Sequence, residues 1–558
     1  MVIEIPLEAS YIGAIVVITF LVIWILIGVI SRRYIRSLTD YAVTGWRIGG
    51  FVAGCAMMSV MCSLSTFMGI HGMMLAIGFP IVACYYAAVV GFPLVGIVIG
   101  MGLRRFGAFT PPHFVGWRYG NFARLLSSIA ALIVILWYLN SNMIALGKVF
   151  ELMLHQPYLM GLWVGGLVVI IYVILGGMFG VVYNQFIQAL TLFVAMIIPA
   201  ALILKALGSP AWFFPPFSFV SPMAESMVKV NPTYFEPFII FKKFPTHYTF
   251  YIAMMGIMVG MLGMPHTIAP IFTVKDTRVV RSASIWATFW YGFVVGISAA
   301  IGFAAIYYCN LHNLWPVMTK PDYDKIFFYL ASEIAGSGWA GFAIGGALAA
   351  ACSTLAGLII QAGMIVGREL VMLVKPTVSE IGIRRAAYVS GAVVAILSIV
   401  MSMSPPPYMV VPILEAWAVS ACVFPPLLVL GYWWKGANKY GAIATIIFGL
   451  IISLLQYLVP CSIWPIELSK CGPVANPTVA AISASGLYPL SFVVFIVASI
   501  IANKILGIEK TVPEDVRRKI DEIHGFKSYD PKRYTSDWPV YIMLVIMVLL
   551  SIYLYLPK

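Results

Sequence analysis

The most pointed group of chemically capable residues in this sequence is the stretch Gly345-Gly346-Ala347-Leu348-Ala349-Ala350-Ala351-Cys352-Ser353-Thr354. Ser353 and Thr354 stand three and four residues after Ala350, so on a helix both hydroxyls meet the Ala350 carbonyl on one face. Oxygen ligands grouped in this way suit a hard cation such as sodium, with further carbonyls supplied by an unwound partner helix. The same pattern also serves hydroxyls that simply bond back to their own helix, and spacing alone leaves both readings open. Other chemistries lack their residues. No G-x-x-x-x-G-K-[ST] loop is present to cradle a nucleotide, and the seven His form no H-E-x-x-H pair or zinc-site spacing. Neither an ATP-driven pump nor an enzyme is expected, and no residue set calls for a catalytic role or an organic cofactor.

The elements that must position these oxygens are membrane helices. Of 558 residues, 62% are hydrophobic and 10% charged, with a mean hydropathy of +0.97, whereas soluble domains average about 25% charged residues. A soluble globular chain is excluded. Apolar runs near the length of a membrane span occur at 9–31, 48–77, 79–103, 122–154, 158–176, 179–206, 247–271, 279–309, 337–367, 385–403, 408–433, 440–460, 486–506 and 539–556. The first follows MVIEIPLEAS and ends at Ser31-Arg32-Arg33, without the basic start and small-residue cleavage site of a signal peptide, so it reads as a retained helix.

Alternating from a cytoplasmic Arg32-Arg33, 25 of the 34 Lys and Arg fall in inside loops and eight outside, with Lys148 inside a span. This asymmetry sets the orientation, with both termini outside. It also accounts for the net charge of +13 without a nucleic-acid partner. The lipid bilayer is the partner the composition demands, and nothing calls for an obligatory protein partner. The outside segment 207–246, with Trp212-Phe213-Phe214-Pro215-Pro216, reads as an ordered lid, and 508–537 as a short cytoplasmic helix. Six of the eight Cys lie in or beside spans as small packing residues, while Cys461 and Cys471 share an outside loop whose compartment would permit a disulfide.

The spans also carry a candidate repeat. MCSLSTFMGIHG lies in the run 48–77, and GIMVGMLGMPH lies in the run 247–271, five spans later. An odd separation makes the two cross in opposite directions, as interrupted helices do in inverted repeats that hold substrate and ion at the midplane. Gly and Pro are also ordinary packing points in membrane helices.

Several motifs in order, SLTDYAVTGWRIGG, ILGGMFGVVYNQFIQ, GGALAAACSTLAGLI and ACVFPPLLVLGYWWKGANKYGAIA, resemble those of the sodium:solute symporter family over roughly residues 37 to 450. Met264-Pro265-His266 followed by FTVKDTRVVRSAS, and FPPLLVLGYWWKG, look closest to its acetate permease and monocarboxylate branch. The resemblance implies an all-α polytopic membrane protein with the leucine-transporter fold, two inverted five-helix repeats among about 14 transmembrane helices. Residues 1–47 would be an extra helix and loop, 48–206 the first repeat, 207–246 an extracellular loop, 247–433 the second repeat, and 434–558 three further helices.

Carried over by position, the resemblance implies a cation site made by the carbonyls of Ser59, Cys62 and Ala350 and the hydroxyls of Ser353 and Thr354. Substrate would sit between the two broken helices, with Ser65, Thr66 and Gly69 past the first break, where free amides hold a carboxylate. His71 and His266 are candidates to line the cavity or carry a proton. Two positions depart from the family pattern: Met61 and Gln185 stand where many members have an acid. Gln185, and Glu415 as the clearest acid deep in a span, are candidates for coupling or gating, whereas Lys148 and Glu151 read as a structural ion pair.

The function expected is an alternating-access symporter that imports a small monocarboxylate of the acetate, pyruvate or propionate type, coupled to sodium or to protons. Another small solute, such as an amino acid or vitamin, and a transporter-like membrane sensor are the alternatives. The expected location is the plasma membrane of a prokaryote.

Overall fold

A computed structural model describes residues 4–77, 81–208, 247–314, 320–404, 410–458 and 486–525, with Glu225 and Val545 besides. Among the described residues nine helices are long and apolar enough to cross a membrane, and two more pairs of helices meet at bends of 64° and 48°. The chain is a multi-pass, all-helical membrane protein. Over their described residues, the apolar runs from 9–31 through 486–506 fall largely on helix. The run 539–556 apart from Val545, the loop with Cys461 and Cys471, and nearly all of 207–246 lie outside the described residues.

In chain order the elements used below are α1 (Leu7–Ser31), α2 (Gly50–Met61), a π-helical turn Ser65–Gly69 leading into α3 (Ile70–Ile77), α4 (Ile81–Phe106), α5 (Pro111–Tyr119), α6 (Asn121–Met153) and α7 (Tyr158–Ala206). There follow α8 (His247–Gly260), α9 (Pro265–Thr273), α10 (Thr277–Leu311), α11 (Lys320–Leu330), α12 (Ser337–Val374), α13 (Glu380–Met401) and α14 (Val410–Pro425, running on to Trp433). The last are α15 (Lys439–Leu458), α16 (Tyr488–Leu506) and α17 (Glu514–His524).

The axis of the molecule is α12, whose most apolar stretch is wholly buried. Without a strong hydrophobic drive between helices in lipid, close backbone approach must supply the packing. The small residues of α12 permit it: a Cβ on Gly345 would lie 2.4 Å from Val16 of α1, and one on Gly346 would lie 2.4 Å from Ala195 of α7. The runs 158–176 and 179–206, together labelled α7, are two helical segments that meet at a kink at Gly177, where φ 50°, ψ −153° is a conformation essentially reserved for glycine. A side chain there would also strike the Tyr41 ring at 2.5 Å.

The two bends have different physical origins. Between α8 and α9, Met264 is extended (φ −72°, ψ 108°) because it precedes Pro265, which also has no N–H to continue the helix. At the break after α2, residues 62–64, there is neither Gly nor Pro. Cys62 leaves the helix at φ −75°, ψ 69°, and the Ser63 amide bonds to the Met61 carbonyl at 2.8 Å rather than to Ser59. A parallel bridge joins Ile48, just before α2, to Val274, just after α9, so the first broken helix starts at the end where the second finishes. The two run in opposite directions.

The loops rich in Lys and Arg gather at that same end. Arg104 donates to the carbonyls of Val274 (2.6 Å) and Lys275 (2.8 Å). Helix α17 docks there too: Val516 and Ile520 pack on Trp117, Arg105 donates to the Ile523 and His524 carbonyls, and Lys435 meets Asp521 at 2.8 Å. At the opposite end Glu8 accepts from Ser337 at 3.0 Å, and Lys148 and Glu151 form an ion pair at 2.7 Å.

A buried charge cluster ties α5, α6 and α12 together at the basic end. The fully buried Glu369 accepts from Arg124 at 2.7 Å, from Arg368 at 2.6 Å and from Thr110 at 3.1 Å. Arg368 also reaches His113 Nε2 at 3.1 Å. A guanidinium can only donate, so this nitrogen is the unprotonated one. Burial first, then the Arg368 and Arg124 charges, hold the His113 pKa well below 6.5.

The unfolded chain takes up a proton near 6.5 while folded His113 refuses it, so this residue favours the folded state above that pH and the advantage is lost as pH falls below it. Thermal unfolding in detergent should therefore show stability falling between about pH 7.5 and about pH 5.5, and His113→Gln should flatten the fall. The same pH slope in the variant would assign the loss to other groups.

Candidate functional site

At the first break a set of backbone oxygens is released, and α12 supplies the groups that meet them. The Ser353 hydroxyl lies 2.8 Å from the Ser59 carbonyl and 3.0 Å from that of Ala350. The Thr354 hydroxyl lies 2.9 Å from the Val60 carbonyl and 3.2 Å from that of Ala350. A hydroxyl has one hydrogen and two lone pairs, so each can donate to one carbonyl at a time. Five oxygens from three positions of α12 and two of α2 thus converge in a fully buried spot. Ser59, Ala350, Ser353 and Thr354 are brought together as the sequence led us to expect. Cys62 is at the break itself, but the second carbonyl of α2 that meets the pair is that of Val60.

Gln185 stands directly behind this group. Its Nε2 donates to the Ser353 carbonyl at 3.1 Å, while Oε1 has no partner among the described residues. Helix α7 thereby holds the backbone that carries the hydroxyls. Tyr172, on the other side of the Gly177 kink, does likewise one residue earlier, donating to the Cys352 carbonyl at 3.0 Å. The neutral amide at 185 is therefore a hydrogen-bond donor to this helix, a role a carboxylate could not take.

On the other side of the break lies a cavity of about 70 Å³, room for several waters or one small solute. Its polar side is built on the π-helical turn, where Ser65 and Thr66 both line it. The Tyr85 hydroxyl donates to the Ser65 carbonyl at 2.9 Å, the Tyr291 hydroxyl meets Thr66 Oγ1 at 3.2 Å, and the Ser63 and Ser65 hydroxyls are hydrogen-bonded to each other at 2.7 Å. Tyr138 completes this group through Ser63. The remaining wall is largely apolar and includes Met61, Ile257, Ile413 and Trp417. No Asp, Glu, Lys, Arg or His is among the described residues that line it.

Gly69 is adjacent to this cavity, with a Cβ position 3.6 Å from the Tyr85 hydroxyl. His71 and His266 do not line it. His71 is fully buried against Phe327 of α11, ring centroids 5.4 Å apart. His266 packs on Tyr138 at 4.6 Å. Both imidazoles lack hydrogen-bond partners among the described residues. Glu415 is buried, 4% exposed, two residues before Trp417 on α14. The tyrosines, Ile257 and Trp417 had no signal in the sequence. The chain has 29 Tyr and 15 Trp, and only the packing of four separate helices selects these few.

These geometries can be set beside known proteins. The model of the sodium:solute symporter family matches residues 41–449. Among solved structures, a Na+-coupled sialic acid symporter in a substrate-bound outward-open state is 17% identical, with a TM-score of 0.69 over 86% of this chain and 98% of that one. MhsT in complex with L-phenylalanine is 15% identical, with a TM-score of 0.49 over 81% of this chain and 98% of that one. The likeness to the sialic acid symporter shows the shared fold, the leucine-transporter arrangement expected above. With a family model matching most of its length, the chain belongs to the sodium:solute symporter family and is a transporter of the sodium-coupled symport class.

Proposed function

We propose that this symporter imports a small monocarboxylate of the acetate, pyruvate or propionate type by alternating access. The observation that carries the reading is the division of the cavity: hydroxyls beside a helix start on one side, apolar side chains on the rest, and no charged side chain among the described lining residues. Hydroxyl donors at a half-helix start, where the helix dipole is positive, suit a carboxylate. An amino acid would also bring an ammonium group, and the described lining residues include no carboxylate to receive it.

The missing counter-charge points to the coupling mechanism. The oxygens of Ser59, Val60, Ala350, Ser353 and Thr354 form the proposed sodium site, on the far side of the same break from Ser65 and Thr66. A cation held there would offset the charge of a carboxylate held by the turn, so each ion favours occupancy by the other in a medium that screens poorly. The two broken helices belong, in this reading, to repeats at 48–206 and 247–433. The basic end, with α17, faces the cytoplasm of a prokaryotic cell and the termini lie outside. Gln185 and Met61 bear on the choice between sodium and proton, since neither adds a carboxylate to hold the cation.

Uptake of labelled acetate and pyruvate into proteoliposomes, with sodium and proton gradients imposed separately, tests the reading. Sodium-driven uptake is expected, and no uptake of any small organic acid under either gradient would sink it. Replacing Ser353 and Thr354 together by Ala should raise the sodium concentration for half-maximal uptake by roughly 10-fold or more, as expected for losing two buried oxygen ligands worth about 1 kcal/mol or more each. An unchanged sodium dependence would remove these hydroxyls from the ion site.

A further inference from the structure

We infer that Trp417, seated on the bare backbone of Gly260, sets the longest acid this transporter accepts. The inference rests on the monocarboxylate reading and concerns the end of the same cavity away from the carboxylate.

The hydroxyl groups of the cavity are all tied to the turn at residues 63–66, so an acid bound through its carboxylate is fixed at that side. Its tail faces an apolar wall to which Met61, Met73, Ile81 and Ala88 contribute, and to which α8 and α14 add Ile257, Ile413 and Trp417. These last three residues are buried, 5%, 7% and 5% exposed. Trp417 is the largest of them and the one whose position is fixed by a specific gap. A Cβ on Gly260 would lie 2.9 Å from Trp417 Cε3, 3.4 Å from its Cζ3 and 3.4 Å from the Ala421 Cβ. The indole therefore lies against α8 only because residue 260 has no side chain.

The crossing is locked one turn away. The Ser420 hydroxyl donates to the Gly260 carbonyl at 2.7 Å, and a Cβ on Gly263 would lie 2.5 Å from Ser420 Oγ. The backbone of α8 thus cannot drift away from α14 to make room, and the depth of the cavity is decided by how far the indole sits back into the gap at 260. With about 70 Å³ to fill, each methylene of the tail matters. An apolar pocket separates neighbours by one methylene by about 10- to 200-fold.

Two substitutions move the wall in opposite directions. Trp417→Ala removes the indole and deepens the cavity, so the uptake ratio of butyrate to acetate should rise by roughly 10-fold or more. Gly260→Ala pushes the indole inward, so the ratio of propionate to acetate should fall by a similar factor, about 10-fold. Trp417→Phe, a milder change, should shift butyrate in the same sense as Ala by a smaller factor, and it covers the case in which Trp417→Ala does not insert. All are compared in proteoliposomes with wild-type protein under one sodium gradient, each acid labelled separately. Opposite shifts in the two positions support the assignment. Wild-type uptake of acetate with unchanged length ratios in the variants overturns this inference alone, whereas wild-type protein that carries no acid overturns the carboxylate reading and this inference with it.

Discussion

Two hydroxyls on one helix hold the carbonyls that another helix has released. In a bilayer no water is at hand to satisfy a broken helix, so a break survives only where protein groups take the freed backbone atoms. Ser353 and Thr354 do this for Ser59 and Val60, and much of the structure can be read as support for those two bonds. Gly345 and Gly346 let α12 approach α1 and α7 closely enough to be the central element. Gln185 and Tyr172 hold the carbonyls of Ser353 and Cys352 from the side. Because the first break has neither Gly nor Pro, it depends on its partner helix in a way that the second, built around Pro265, does not.

One break then serves two chemistries. Its helix end offers carbonyl oxygens toward α12, and its restart brings the hydroxyls of Ser63, Ser65 and Thr66 among the tyrosines of α4, α6 and α10. A helix end exposes acceptors, whereas the restart gathers hydroxyls that can donate. In the function proposed above, a cation and a carboxylate would occupy neighbouring places for a reason set by backbone geometry and hydroxyls rather than by charged side chains. The ends of the broken helices are meanwhile tied by backbone bonds at the basic end, where Ile48 and Val274 pair and where α17 is docked against Arg105 and Trp117.

Much of the architecture was legible in the chain because it follows from local rules. Apolar length gave the helices, charge asymmetry grouped the loops, and Met264-Pro265 marked a break that proline chemistry makes unavoidable. The contact of Ala350, Ser353 and Thr354 also followed from helix spacing. The first break was harder to locate, since nothing in MCSLSTF forbids a helix locally, and only the packed structure shows that the Thr354 hydroxyl meets the Val60 carbonyl. His71 and His266, natural candidates by residue type, turned away from the cavity into aromatic packing. The tyrosines that do line it come from α4, α6 and α10, which no local pattern relates.

By itself, then, the sequence determined that this chain lives in a membrane, where its helices lie and which hydroxyls share a face, because hydropathy and helical period act over a few neighbouring residues. Tertiary structure alone decided where α2 ends, which carbonyls it releases, and which side chains close the cavity around the restart. Those outcomes depend on helices far apart in the chain meeting at distances of a few ångströms. The gap at Gly260 that seats Trp417 is of the same kind: a missing side chain has meaning only once another helix is laid against it.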